Sequence, residues 1–201
     1  GLKGIVPGFF GVTVFFFLSG YLITTLLRIE FERSGDIGLV DFYVRRMFRI
    51  WPLFYLVLIA ATLLTWLGAY GPPLPLDPTL VFMQFAHLAN YAIVKAGWYL
   101  GRSPESWVYW SLAVEEHFYL VLPVAYLAML KARLPARRQA AIFLALCALT
   151  LVWRFVLVFA FDASKERMYV STDTRIDSIV FGCILAVVYN PVLDEAPCRS
   201  E

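Results

Sequence analysis

Charge is scarce in this chain. Lys and Arg number 17, Asp and Glu 15, together 16% of 201 residues, where soluble domains carry about 25%. The net charge of +2 is too small for a nucleic-acid surface, so no nucleic-acid partner is expected. The three cysteines, Cys147, Cys183 and Cys198, have no metal-ligand spacing. Cys147 and Cys183 lie inside apolar runs, where a thiol behaves as a small hydrophobe. There is no HExxH, CxxC or P-loop, and "FLSGY" (Phe17 to Tyr21) holds only the Ser-Gly half of a nucleophile elbow. Nothing argues for a metal, a flavin or a nucleotide-hydrolysing engine. No internal repeat and no low-complexity tail are visible.

Apolar residues dominate instead. Hydrophobic residues make up 61%, aromatics 17%, and the mean hydropathy is +0.71, the composition of an integral membrane protein. A span needs about 20 mostly apolar residues. Phe9 to Leu27, Ile50 to Leu67, Val108 to Leu130 and Ala140 to Phe161 qualify, and Ile176 to Tyr189 is a shorter fifth. The expected fold is all-α, a polytopic transmembrane helix bundle of about five or six spans in a single domain over residues 1–201. Trp51 and Pro52 are expected at the interfacial start of the second span.

Leu80 to Val94 is the ambiguous sixth. It follows the loop-breaking GPPLPLDP (Gly71 to Pro78) and holds Gln84, His87 and Asn90 at intervals of three, near one helical face. Topology adds a second reason for doubt. Arg28, Arg33, Arg45, Arg46 and Arg49 follow the first span, and Lys131, Arg133, Arg137 and Arg138 follow the third. Basic loops mark the cytoplasmic side. Both clusters reach that side only if Leu80–Val94 is re-entrant or superficial, and this arrangement is the one expected.

Three groups of polar residues could carry chemistry. "WSLAVEEHFYLVLP" (Trp110 to Pro123) places Glu115, Glu116 and His117 within a span. A charge at a helix centre costs about 2.5–3.5 kcal/mol and marks a functional site by default. Ser111, Glu115 and Tyr119 share one stripe, and Glu116 points about 100° away; the stripe favours Glu115 for the reaction centre and leaves Glu116 as packing or rim, and for either carboxylate the alternative is a pair with an arginine of another helix that only fixes packing. In "FYVRRMFRIWP" (Phe42 to Pro52), Arg45 and Arg49 are four apart and could fork a phosphate or carboxylate; a plain cytoplasmic anchor is the alternative. In "STDTRIDSIVFG" (Ser171 to Gly182), Ser171, Thr172 or Asp173 could cap the helix. Arg175 and Asp177 do not share a face and each seeks another partner, Glu115 being one candidate for Arg175.

"GVTVFFFLSGYLIT" (Gly11 to Thr24), "RRMFRIWPLFYLVL" (Arg45 to Leu58), "WSLAVEEHFYLVLP" and "TRIDSIVFG" (Thr174 to Gly182) occur in this order. Together they resemble the membrane-bound acyltransferase family 3, O-acyltransferases of bacterial envelope sugars and related substrates, from about Pro7 to Val188. The resemblance implies an enzyme that moves an acyl group, normally acetyl, from acyl-CoA to a hydroxyl, in the bacterial inner membrane and without a bound cofactor. It implies Arg45 and Arg49 at the acyl-CoA entrance, Glu115, Ser111, Arg175 and Asp177 in the catalytic centre, and Trp110 and Tyr119 against substrate. Thr13 stands where the family often has an acidic residue. The family's catalytic histidine lies on a span about ten residues before the counterpart of "PGFFGV". The chain therefore reads as the central part of a larger bundle, cut at both ends, and neither His87 nor His117 matches that histidine. A non-catalytic transporter or scaffold is the rival, since intramembrane charges also line transport paths.

Overall fold

The structure, a computed structural model, describes residues 8–69, 75–98 and 108–194. Residues 71–74 of GPPLPLDP, Pro7 and Cys198 lie outside these. The described residues are helical, without strands: α1 (Gly8–Ser34), α2 (Leu39–Trp66), α3 (Pro78–Phe85), α4 (Ala89–Ala96), α5 (Tyr109–Lys131), α6 (Ala136–Phe161), α7 (Lys165–Val170), α8 (Thr172–Val188) and α9 (Pro191–Asp194). Helices α1, α2, α5 and α6 are long and apolar enough to cross a membrane. The expected shorter fifth, Ile176 to Tyr189, falls on α8, whose 17 residues do not place it among these four. Large apolar side chains face outward along α2 (Leu53, Leu56, Ile59) and α6 (Leu144, Leu149, Phe159), as a hydrocarbon solvent requires and water would penalise.

The helix that leads into the second expected span begins at Leu39 and runs on through Pro52, as α5 runs through Pro123. A proline inside a helix removes one hydrogen bond and bends it, and neighbouring helices in a membrane make up the loss. Leu80–Val94, expected not to cross, is not one helix. It breaks at His87, whose φ is +56°, into α3 and α4 of eight residues each, about 12 Å apiece, too short to span. Asp77 starts the pair by accepting from the N–H groups of Thr79 and Leu80, with Pro78 at the first helical position.

The chain divides into two compact units. The first contains residues 8–37, 120–153 and 176–194; the second contains 38–69, 75–98, 108–119 and 154–175.

In the first unit, α1 and α8 meet backbone to backbone. A Cβ on Gly20 would lie 2.0 Å from the Ile179 carbonyl oxygen, and one on Gly182 2.0 Å from that of Phe17. Glycines on both sides are what permits such an approach between membrane helices. Polar bonds hold the far ends. Asn190 Nδ2 donates to Thr25 Oγ1 at 2.8 Å, and Arg28 donates to the Ala186 carbonyl at 2.6 Å and to Asp194 at 3.2 Å. Lys131, after the third expected span, pairs with Asp36, after the first, at 3.1 Å. The ends of these two spans therefore emerge on one side.

In the second unit, α4 packs against α3 and α7. The turn between α3 and α4 meets α2 through His87. The Tyr55 hydroxyl donates to the Phe85 carbonyl at 3.1 Å. The His87 ring stacks on Phe54 at 4.4 Å and on Trp51 at 5.7 Å.

Candidate functional site

Most of the residues singled out from the sequence lie in the second unit. Helix α2 presents two faces there. Phe42, Phe54, Leu58, Ala61 and Thr65 are buried, a stripe at helical spacing on which Arg46 also lies, four residues after Phe42 and eight before Phe54. Arg45 and Arg49 are exposed on another face. They are accessible cations four residues apart, which suits a soluble anion.

Arg46 turns inward. Its guanidinium lies over the Tyr119 ring of α5, 3.3 Å from the centroid, a cation–π contact strengthened by exclusion of water. Glu116 of α5 lies within electrostatic reach of Arg46, and the Trp51 indole faces its carboxylate. No hydrogen bond of good geometry closes between the two: Trp51 Nε1 and Glu116 Oε1 are both buried without a partner, as are Arg46 Nε and His87 Nδ1. Glu116 thus sits half-buried beside Arg46 and the Trp51 ring.

Glu115 is 2% exposed, consistent with a carboxylate held inside rather than at the lipid face. Tyr119 and Trp110 are also buried. Trp110 packs its ring against Tyr169 at 4.9 Å, and Tyr169 in turn carries the Arg175 guanidinium at 5.3 Å. This brings one expected catalytic residue and one expected substrate contact to the same tyrosine. Ser111 donates to the Val108 carbonyl one turn back, the ordinary local bond of a helical serine. Asp177 belongs to the first unit, where it accepts from the Ser178 N–H at 2.9 Å.

The start of α8 is more occupied than capping alone would require. Thr172 Oγ1 accepts from Asn90 Nδ2 at 3.0 Å and meets His117 Nδ1 at 2.8 Å. His117 also bonds the His87 backbone. Which of Nδ1 and the threonine hydroxyl donates follows from which ring nitrogen carries the proton. Asp173 makes a two-pronged bridge to Arg167, which lies outside the long helices and whose guanidinium is raised above its ordinary range by that hydrogen-bonded carboxylate. Arg154 of α6 donates from Nε to the Thr174 carbonyl at 2.7 Å. Ser171, just before α8, has a buried hydroxyl without a partner and does not act as the cap.

Sequence reasoning missed Arg46, Trp51, Asn90 and Thr172 as a group. The signal for Arg46 is present in its register with Phe42 and Phe54. The others depend on contacts between residues far apart in the chain. The first unit holds a cavity of about 170 Å³, lined by Arg28, Phe31, Glu32, Tyr126, Leu130 and Gln139 among others. It contains none of the residues expected in the site.

Comparison with known proteins gives a consistent result. The family described as "Acyltransferase domain" matches residues 3–193. The O-acetyltransferase OatA of Staphylococcus aureus (strain NCTC 8325 / PS 47) is 31% identical over 193 residues, 92% of this chain and 30% of that protein. The peptidoglycan O-acetyltransferase OatA of Listeria monocytogenes serovar 1/2a is 30% identical over 206 residues, 96% of this chain and 32% of that protein. The chain thus spans about a third of the length of these relatives. No solved structure matches it.

Proposed function

This chain belongs to the acyltransferase domain family, and from that premise we propose that it is the membrane part of an O-acetyltransferase acting on a saccharide of the bacterial envelope. The donor in this reading is acetyl-CoA on the cytoplasmic side of the inner membrane. Its phosphates meet exposed Arg45 and Arg49, and its thioester reaches the interior of the second unit. The acceptor is a sugar hydroxyl; peptidoglycan is the acceptor named for the Listeria relative.

The observation that carries the reading is the match over residues 3–193 to an acyltransferase family. The placement of Glu115, Glu116, Arg46 and Arg175 agrees with it, since these lie on apolar helices yet are buried or half-buried. Charge that develops on a carbonyl oxygen in a dry site is stabilised by fixed donors, and half-buried Arg175 is suited to supply them. Buried Glu115 is suited to orient a base or hold a cation. Exposed Arg45 and Arg49 hold the charged end of the donor in water.

Membranes containing the full-length protein, supplied with [acetyl-¹⁴C]acetyl-CoA and cell-wall fragments, should form alkali-labile acetyl esters on the glycan. Membranes without the protein should not. A protein that inserts and purifies normally but transfers no label to any glycan would return the chain to the transporter or scaffold class.

A further inference from the structure

Trp51 is the centre of an unusual set of side chains. Its ring stacks on His87 at 5.7 Å and meets Tyr55 edge-on at 6.0 Å. Its N–H faces Glu116, which also interacts electrostatically with Arg46 and Tyr55. Around it four buried atoms lack a partner: Arg46 Nε, Trp51 Nε1, Glu116 Oε1 and His87 Nδ1. His87 Nε2 approaches the Tyr55 hydroxyl at 3.4 Å, and that hydroxyl already donates to the Phe85 carbonyl. The hydroxyl therefore accepts from Nε2–H, which leaves Nδ1 a bare acceptor. The set thus offers two donors and two acceptors. Unsatisfied buried polar groups are costly and rarely kept without use.

The charges decide which ligand fits. Arg46 and Glu116 balance, so an anion gains nothing over a neutral group. Arg45 and Arg49, exposed on the other face of α2, remain the better phosphate site. The walls are aromatic: Trp51, Phe54, Tyr55 and Tyr119. Aromatic faces with a few convergent donors and acceptors suit a neutral group that both donates and accepts hydrogen bonds.

We propose that Arg46, Trp51, His87 and Glu116 form a binding subsite for an uncharged hydrogen-bonding substrate group. Two sources share this chemistry: the amide-bearing pantetheine arm of the donor and a hydroxylated sugar of the acceptor. The proposal rests on the acyltransferase reading for the identity of these sources. It is tested by binding, so its outcome does not depend on turnover.

Full-length protein in detergent would be heated with S-acetylpantetheine or with a soluble N-acetylhexosamine disaccharide. The parent should be stabilised by one of them, and which one identifies the source. Trp51→Phe keeps an aromatic ring and removes the N–H. Glu116→Gln keeps the shape and removes the charge. Each should raise the concentration needed for half-maximal stabilisation about fivefold or more, the loss expected for one hydrogen bond in a buried site, while unfolding without ligand stays near the parent's. An equal response of parent and both variants would overturn the proposal. So would stabilisation of the parent by neither probe, or loss of folding in Trp51→Phe itself, which would make the cluster a packing device. Acetyl transfer measured on the same parent reports separately on the acyltransferase reading.

Discussion

At the scale of single residues, Glu115 and Glu116 differ by environment more than by chemistry. Glu115 is almost completely enclosed. A carboxylate in such a place is ionised only if a cation or hydrogen bonds hold it. Glu115→Gln in the full-length protein is expected to lower acetyl transfer by roughly 100-fold or more, the usual size of a lost acid–base or orienting group, while insertion and yield are unchanged. Transfer at the parental rate, or misfolding of this variant, would return Glu115 to a packing role. Arg45 and Arg49 require a different measurement. Arg49→Lys keeps the charge but not the planar fork, so the KM for acetyl-CoA should rise about tenfold with kcat little changed. If donor dependence is also unchanged in Arg45→Ala and Arg49→Ala, the two arginines only anchor the loop. Periodicity makes the exposure of Arg45 and Arg49 on one face of α2 legible. It does not tell which neighbours Glu116 meets, because a helical wheel gives a direction without saying which helix lies there.

At the scale of elements, the contact between α1 and α8 is the most exacting. With 2.0 Å between an added Cβ and a facing carbonyl oxygen on each side, even one methyl group forces the backbones apart. Gly20→Ala and Gly182→Ala should each destabilise by about 3 kcal/mol or more, read as loss of folded protein in detergent. Gly11, with nothing within 4 Å of a Cβ, is the control that should accept alanine. The short helix α3 depends on its cap. Two backbone N–H bonds hold the Asp77 carboxyl below the usual carboxylate range. A depressed folded-state pKa means that the cap's contribution is present above the unfolded value and is lost as pH falls through the folded one. Amide exchange at Thr79 and Leu80, corrected for intrinsic rates, should therefore quicken on acidification below about pH 4. Asp77→Ala should show that faster exchange already at neutral pH, whereas Asp77→Asn, which can still accept, should not.

At the scale of the whole molecule, the question is which way the helices run. The Lys131–Asp36 bridge brings the end of the third expected span beside the loop after the first. Only a segment between them that fails to cross allows this, and α3 and α4 are each too short to cross. A cysteine placed at exposed Ala136 should resist an impermeant thiol reagent in intact cells and react once the membrane is opened. Labelling from outside would reverse the assignment.

Sequence alone determined the solvent and the class. A chain with 61% hydrophobic residues and runs of about 20 of them has to satisfy its backbone within helices, because lipid offers no hydrogen bonds. The ordered motifs from Gly11 to Gly182 sufficed to place it among acyltransferases, as the match over residues 3–193 shows. Tertiary structure decided what periodicity does not encode. It put the break between α3 and α4 at His87, where composition suggests only a polar face. It carried α2 through Pro52, because one missing hydrogen bond does not end a helix that its neighbours support. It chose Arg46 over its exposed neighbours to meet Tyr119 and Glu116, since which buried groups share a site depends on how separate helices pack, and packing is a property of pairs of segments.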